Sequence, residues 1–184
     1  MTNNIREELL QLILKEDVKA FNSLKEKEQV TGIDLSGTDL EGLSLDEINF
    51  SDLDLNGVNF GDSSLECANF ANTNLTSANF TGANLQYCNF NNANLSGAHF
   101  TNANATEAEF IDANFSGADL CEADFSKAEL SACINLSQAK FDRLTVWPDN
   151  LNLPDDFDSD YNSISDYNDD DFEEKLYDGE LEDN

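Results

Sequence analysis

A small set of residues in this chain could do chemistry. Asp52-Leu53-Asp54-Leu55-Asn56-Gly57 matches the opening of an EF-hand calcium loop, which places oxygen ligands at loop positions 1, 3 and 5 and a glycine at 6. Such a loop closes with a bidentate glutamate at position 12, and here that position is Ser63. The cysteines are Cys67, Cys88, Cys121 and Cys133, with no C-x-x-C pair for redox or zinc work. His99 is the only histidine, and one imidazole without a ligand cluster makes neither a metal site nor a triad. No glycine-rich phosphate loop is present. Carboxylates abound, but nothing in their spacing pairs them in a cleft. The expectation is a protein that is not an enzyme and uses no cofactor or metal.

The charge points the same way. The chain has 184 residues, 38 Asp+Glu and 9 Lys+Arg, for a net charge of −29. Neutralising phosphates takes clustered Lys and Arg, so direct binding to nucleic acid or to an anionic membrane is not expected. The charge is also uneven. Residues 1–30 carry six acids and five bases; residues 31–132 carry sixteen acids and only Lys127 as a base. Residues 133–148 carry one acid and two bases; residues 149–184 carry fifteen acids and one base. From Cys67 to Thr106 there is no Asp, Glu, Lys or Arg at all.

The elements that position these side chains arise from a period of five. Every fifth residue from Leu35 to Leu130, twenty positions without an insertion, is Leu or Phe, except Ala105. Two residues before each centre stands a second inward candidate. It is bulky early (Ile33, Leu43, Ile48, Leu53, Val58) and almost uniformly Ala from Ala68 to Ala128. Between the two lies a polar residue, usually Asn or Asp. Five fits neither a helix nor a plain strand. Within each unit, however, two residues spaced by two point the same way. The remaining two, as in Ser36-Gly37, Thr81-Gly82 and Ser96-Gly97, are turn formers. Each unit is therefore a short extended piece followed by a corner.

The stretches Ala83-Asn84-Leu85, Ala93-Asn94-Leu95-Ser96-Gly97 and Ala118-Asp119-Leu120 resemble the motif of the pentapeptide-repeat family, small–Asn/Asp–Leu/Phe–Ser/Thr–Gly. The resemblance spans residues 33–132. It implies a β-solenoid, a right-handed quadrilateral parallel β-helix with four pentapeptides per coil and about five coils. Residue n then stacks on n+20. Leu40, Phe60, Phe80, Phe100 and Leu120 form one inner column, and Phe50, Phe70, Phe90, Phe110 and Leu130 form the facing one. Leu-rich columns occupy the other two sides. Phe125 or Phe110 is expected to fill the space left by Ala105.

A solenoid needs caps at its ends. Residues 1–30 read as a helical N-terminal cap. Ile5, Leu9, Leu12 and Ile13 lie on one face, Leu10 and Leu14 widen it, and Asp17 caps a second helix carrying Val18, Phe21 and Leu24. Residues 31–132 are the repeat coil. Residues 133–148 form a closing segment with a frame slip at Ala132-Cys133, inward Ile134 and Ala139, and Trp147-Pro148 as the lid. Residues 149–184 are Asp/Asn/Ser-rich with few aliphatics, which argues an acidic disordered tail. Its spaced aromatics permit docking onto a partner. No stretch is long and apolar enough to span a bilayer, and the start lacks a signal-peptide pattern, so the expected location is cytoplasmic.

The functional expectation is a non-catalytic, regulatory scaffold for protein–protein interaction, its partner a protein with a basic surface. The candidate partner-binding face is Asn69, Asn74, Asn79, Asn84, Asn89, Asn94, His99 and Asn104. The family is most abundant in photosynthetic bacteria, which implies a bacterial protein. One branch resembles B-DNA in shape and charge and protects type II topoisomerases, so a DNA mimic that binds such an enzyme or another DNA-binding protein is the alternative. The uncharged middle, the unbroken repeats and the lack of an apolar C-terminal dimerisation segment count against it. The oligomeric state is left open.

Overall fold

The computed structural model describes residues 2–130, 132–149 and 151; the expected disordered tail lies, from residue 152 on, outside the described residues. Two helices, α1 (Thr2–Ile13) and α2 (Val18–Lys27), precede the coil. From Asp34 to Glu129 each side of the coil pairs with the next through one parallel bridge at a spacing of twenty, as in Asp34↔Asp54, Asn59↔Asn79 and Glu109↔Glu129. The sides are single-residue ladders rather than extended strands, because only the polar middle residue of each unit lies flat in the ladder.

Corners obey the sequence pattern. The amide three residues past nearly every centre donates to the centre's carbonyl, as in Ala83 N–H to Phe80 C=O at 3.0 Å. The residue before that amide has positive φ, which is the requirement of a type II turn. Glycine fills it at Gly57 (φ 63°) and Gly82 (φ 69°), while Cys67, Ser77, Tyr87 and Lys127 occupy the same left-handed region without glycine's freedom.

The inward register agrees with the sequence reading. Every centre from Leu35 to Leu130 is buried, and so are the small residues from Ala68 to Ala128. The two Phe columns stack at the rise of the coil. Phe70–Phe90 centroids lie 4.8 Å apart at 4°, Phe90–Phe110 5.0 Å at 1°, and Phe60–Phe80 5.2 Å at 6°. Across the interior the columns meet edge to face, as in Phe70–Phe80 at 5.7 Å and 83°. Both arrangements suit the ring quadrupole, and each buried Phe adds about 1.5–3 kcal/mol of transfer free energy.

Ala105 interrupts this order. Phe125, one coil on, reaches to 6.0 Å from Phe100 and 5.7 Å from Phe110, and Phe115 lies 5.2 Å from Phe110. The Phe100–Phe110 pair opens to 6.4 Å to admit them. Phe125 and Phe115 thus take the room that a leucine at 105 would have used.

The helices close the first coil in two ways. Phe21 of α2 sets its ring 5.5 Å from Phe50 at 69°, extending an inner column upward. Polar side chains meet the first coil's free backbone groups. Arg6 Nε donates to the Asp34 carbonyl (2.8 Å), Asn22 Nδ2 to the Glu47 carbonyl (2.9 Å), Asn22 Oδ1 accepts from the Asn49 amide (2.8 Å), and Glu16 accepts from the Ser44 amide (3.1 Å). Buried Lys25 donates to Ser51 Oγ at 3.0 Å, and burial lowers its pKa against the pull of Asp52. Leu14, expected on the apolar face, lies just past the end of the helix at Ile13 and is 54% exposed.

At the far end the frame slips later than expected, and twice. Asn114↔Ile134 keeps the spacing of twenty, Asp119↔Lys140 is at twenty-one and Asp124↔Val146 at twenty-two. Ile134 therefore takes an outward ladder position and is 47% exposed, a correction to its inward placement. The slip arises beyond it, where Asn135 enters the left-handed region (φ 59°) and Leu136–Gln138 form a 3₁₀ turn. Ala139 and Phe141 are buried, and Trp147 stacks on Phe125 at 5.7 Å and 11°, which makes it the centre of a last, shifted unit.

Candidate functional site

The sequence pointed to eight outward residues as one face. The ladders place them on four. Asn69 pairs with Asn89, Asn74 with Asn94, Asn79 with His99 and Asn84 with Asn104. Consecutive units lie on consecutive sides, so the set is a belt two coils deep around the whole girth, not a face.

Most of the belt also has work inside the fold. The Oδ1 atoms of Asn69, Asn79, Asn89 and Asn104 accept the amides of Ala71 (3.0 Å), Thr81 (3.0 Å), Asn91 (2.9 Å) and Thr106 (3.1 Å), closing an Asx turn at each corner. Asn74, Asn84 and Asn94 make the same bond at 3.3, 3.3 and 3.2 Å. The amide ends link coils: Asn79 Nδ2 donates to Asn59 Oδ1 at 2.8 Å, and Asn74 Nδ2 to Asp54 Oδ1 at 2.8 Å. These bonds explain why Asn and Asp dominate the position: they hold the pleat from outside. His99 is exposed on the same side as Asn79 and Asp119.

Charge frames the belt. Nine acids, from Asp34 to Glu66, precede it on the coil, and seven, from Glu107 to Glu129, come after it. Glu41, Glu47, Asp62, Asp112 and Glu122 are exposed. Some carboxylates serve structure as well. Asp46 accepts Ser64 Oγ (2.6 Å) and the Glu66 amide (2.9 Å), and Asp34 is held below its ordinary pKa by bonds from Ser36.

The chemical candidates resolve into parts of the repeat. Leu53 and Leu55 are core residues, Asp54 lies on a side ladder and Asp52 at a corner with φ 59°. Among the described residues no group of three His, Cys, Asp or Glu is gathered to hold a metal ion. All four thiols are pushed away from the reactive thiolate. Burial raises Cys88, whose Sγ donates to the Leu65 carbonyl at 3.0 Å. Burial, aided by Asp119, pushes Cys121 up to about 12; burial pushes Cys133 up to about 11 and raises exposed Cys67, aided by Glu66.

Sequence reasoning passed over most of the exposed apolar side chains and read Ile134 as inward. Tyr87 (49%) and Ile111 (41%) sit at corners, and Ile134, Leu144 (64%) and Val146 (45%) around the last unit. For Tyr87 and Ile111 the signal was available, since each occupies a corner where the repeat otherwise places a polar or small residue.

A four-sided coil of stacked five-residue units, with small and Leu/Phe columns inside and Asx-closed corners outside, defines a β-solenoid of pentapeptide type. A family model described as a pentapeptide repeat region matches residues 29–100, and one described as pentapeptide repeats (8 copies) matches 98–134 and 108–143. The chain belongs to the pentapeptide-repeat family, and its fold is that family's right-handed quadrilateral β-helix. Among solved structures, the pentapeptide repeat protein Rfr23 of the cyanobacterium Cyanothece 51142 is similar at 25% identity and a TM-score of 0.61, covering 70% of this chain and 99% of that one. A plasmid-mediated fluoroquinolone resistance protein, QnrB1, is similar at 26% identity and a TM-score of 0.45, covering 59% of this chain and 57% of that one. A pentapeptide repeat protein of Nostoc Pcc 7120 is similar at 31% identity and a TM-score of 0.38, covering 54% of this chain and 78% of that one. No curated protein matches the chain. Among the described residues no helix is long and apolar enough to cross a membrane.

Proposed function

We propose that this protein is a non-catalytic, regulatory scaffold that binds a protein with a basic surface through the acidic zones of its coil. Residues 1–30 serve as the cap, 31–132 as the binding rod, 133–148 as the closing segment and 149–184 as an acidic extension. One observation carries the reading: the exposed charge of the coil is gathered into two acidic zones on either side of an uncharged belt. Carboxylates held at fixed spacing on a rigid rod attract a basic surface and set its register. The belt amides close turns, so the belt acts as a spacer between the zones rather than as the docking face.

Capture from native lysate tests it. The wild-type chain is compared with a variant carrying Glu41→Gln, Glu47→Gln, Asp62→Asn, Asp112→Asn and Glu122→Gln, all exposed and all isosteric. A protein of high pI retained by the first and lost from the second supports the scaffold. Equal retention by both overturns the charge-based reading. Inhibition of supercoiling by purified gyrase at micromolar protein would instead favour DNA mimicry.

A further inference from the structure

The C-terminal end of the coil departs from the rest of its surface in two respects. Of the six exposed large hydrophobic residues among those described, three, Ile134, Leu144 and Val146, surround the last unit. Two of them take outward places, Ile134 beside Asn114 and Val146 beside Asp124, on opposite sides of the coil. The same short stretch carries Lys140 and Arg143, neither paired with a carboxylate among the described residues, whereas Lys127, the other base of the coil, is bound to Glu107 at 3.0 Å. Exposed apolar side chains and two bases without an ion pair therefore lie around one end of the rod, with Asp142 between the bases and Asp119 in the ladder beside Lys140.

The path of the chain supplies the occupant. Leu151, like Trp147, packs against the core, and its amide donates to the Pro148 carbonyl at 3.1 Å. The chain thus leaves from the end of the coil itself. The remaining segment, residues 152–184, carries Phe157, Tyr161, Ile164, Tyr167, Phe172, Leu176 and Tyr177 among carboxylates with Lys175 as the only base. Its apolar groups match the rim, and its charge matches Lys140 and Arg143. The acidic zones would repel it, and the belt offers it amides but few apolar contacts.

We propose that residues 152–184 fold back on the C-terminal end of their own coil, seating aromatic side chains over Trp147 and its apolar rim with carboxylates against Lys140 and Arg143. A tethered segment acts at an effective concentration near the millimolar range, which a free acidic partner does not reach. A second copy is a poorer occupant, because it brings a net charge of −29 against −29. The proposal goes beyond the scaffold reading and does not depend on it. If both hold, a basic partner that engages the extension must first displace it from the end.

Trp147 is the only tryptophan, so it reports the cover directly. The experiment uses the full chain and reads Trp147 emission and acrylamide quenching. One variant carries Lys140→Glu and Arg143→Glu; another carries Phe157→Ser, Tyr161→Ser, Phe172→Ser and Tyr177→Ser; a third combines both sets. Each of the first two is expected to red-shift the emission and raise the quenching constant by about two-fold, and the combination to go little further, because both sets break one docking event. Far-UV circular dichroism checks that the coil is intact, and the extension variant decides alone if the charge reversal disturbs it. Quenching unchanged by the extension variant overturns the proposal. So does wild-type quenching that falls as protein rises from about 1 to 100 µM, since the cover would then come from another copy.

Discussion

Replacing Ala105 with leucine should destabilise the coil, although the repeat pattern alone argues the opposite. The column reads Leu45, Leu65, Leu85, Ala105, Phe125, and a leucine would restore its regularity. The interior has already used that volume. Phe125 lies 5.7 Å from Phe110 and 6.0 Å from Phe100, and the Phe100–Phe110 pair has widened to 6.4 Å. Three extra carbons must displace Phe125 or push it off rotamer, at a cost of about 1–3 kcal/mol. For a chain of this size about 2–4 °C is lost per kcal/mol, so the melting temperature should fall by about 2–12 °C. Phe125→Leu alone should also destabilise, by about 1–2 kcal/mol, because it leaves Ala105 facing a gap and removes the ring that Trp147 stacks on. The double variant Ala105→Leu/Phe125→Leu should be less damaged than the two losses added together, with a favourable coupling of about 0.5–3 kcal/mol. Urea and thermal unfolding monitored by circular dichroism measure all three. An Ala105→Leu protein that melts above wild type, or a double variant whose losses simply add, would refute the argument that the Phe rings fill this space.

The same geometry sets other expected outcomes. Ala93→Leu, at a position 1% exposed, should cost about 1–3 kcal/mol, while Asn94→Leu next to it should cost about 0.5–1.5 kcal/mol through lost turn and ladder bonds; unfolding midpoints compare them. Gly82→Ala should destabilise more than Gly57→Ala, since both have positive φ but only at Gly82 would a methyl strike the Asp62 carboxylate, as thermal melts can show. The thiols should make the protein weaker in alkali. Their folded pKa values lie above the unfolded value, so this stability is complete below about pH 9 and declines as pH rises toward the folded values; urea midpoints should fall over that window, and Cys88→Ala should flatten the fall. Iodoacetamide at pH 8 should label Cys121 far more slowly than a free thiol, read by mass spectrometry.

The interior was legible because one rule governs it. Twenty centres at a fixed spacing, with a partner two residues earlier, define inward positions without ambiguity, and the Phe/Leu alternation assigns columns to opposite sides. The Asx turns were half legible: Asn and Asp at the middle position were evident, their bonds to the next corner were not. The functional surface was read less well. Asn69, Asn74, Asn79 and Asn84 look alike in sequence, yet they stand on four sides, because similarity in a repeat marks equivalent environments and not a common face. Ile134 was misplaced because the slip in frame depends on Asn135 entering the left-handed region, a local choice that the apolar spacing does not encode.

The central claim is that charge at the two ends of the belt, and not chemistry, carries the function. The direct measurement is the association constant between the full-length protein and the basic protein it captures, taken from about 0.05 to 0.5 M NaCl, where the screening length falls to a few ångströms. Affinity should fall steeply with salt for the wild-type chain and much less steeply for the variant with Glu41, Glu47, Asp62, Asp112 and Glu122 neutralised. Affinity that is flat across this range, and equal for the two proteins, would contradict it.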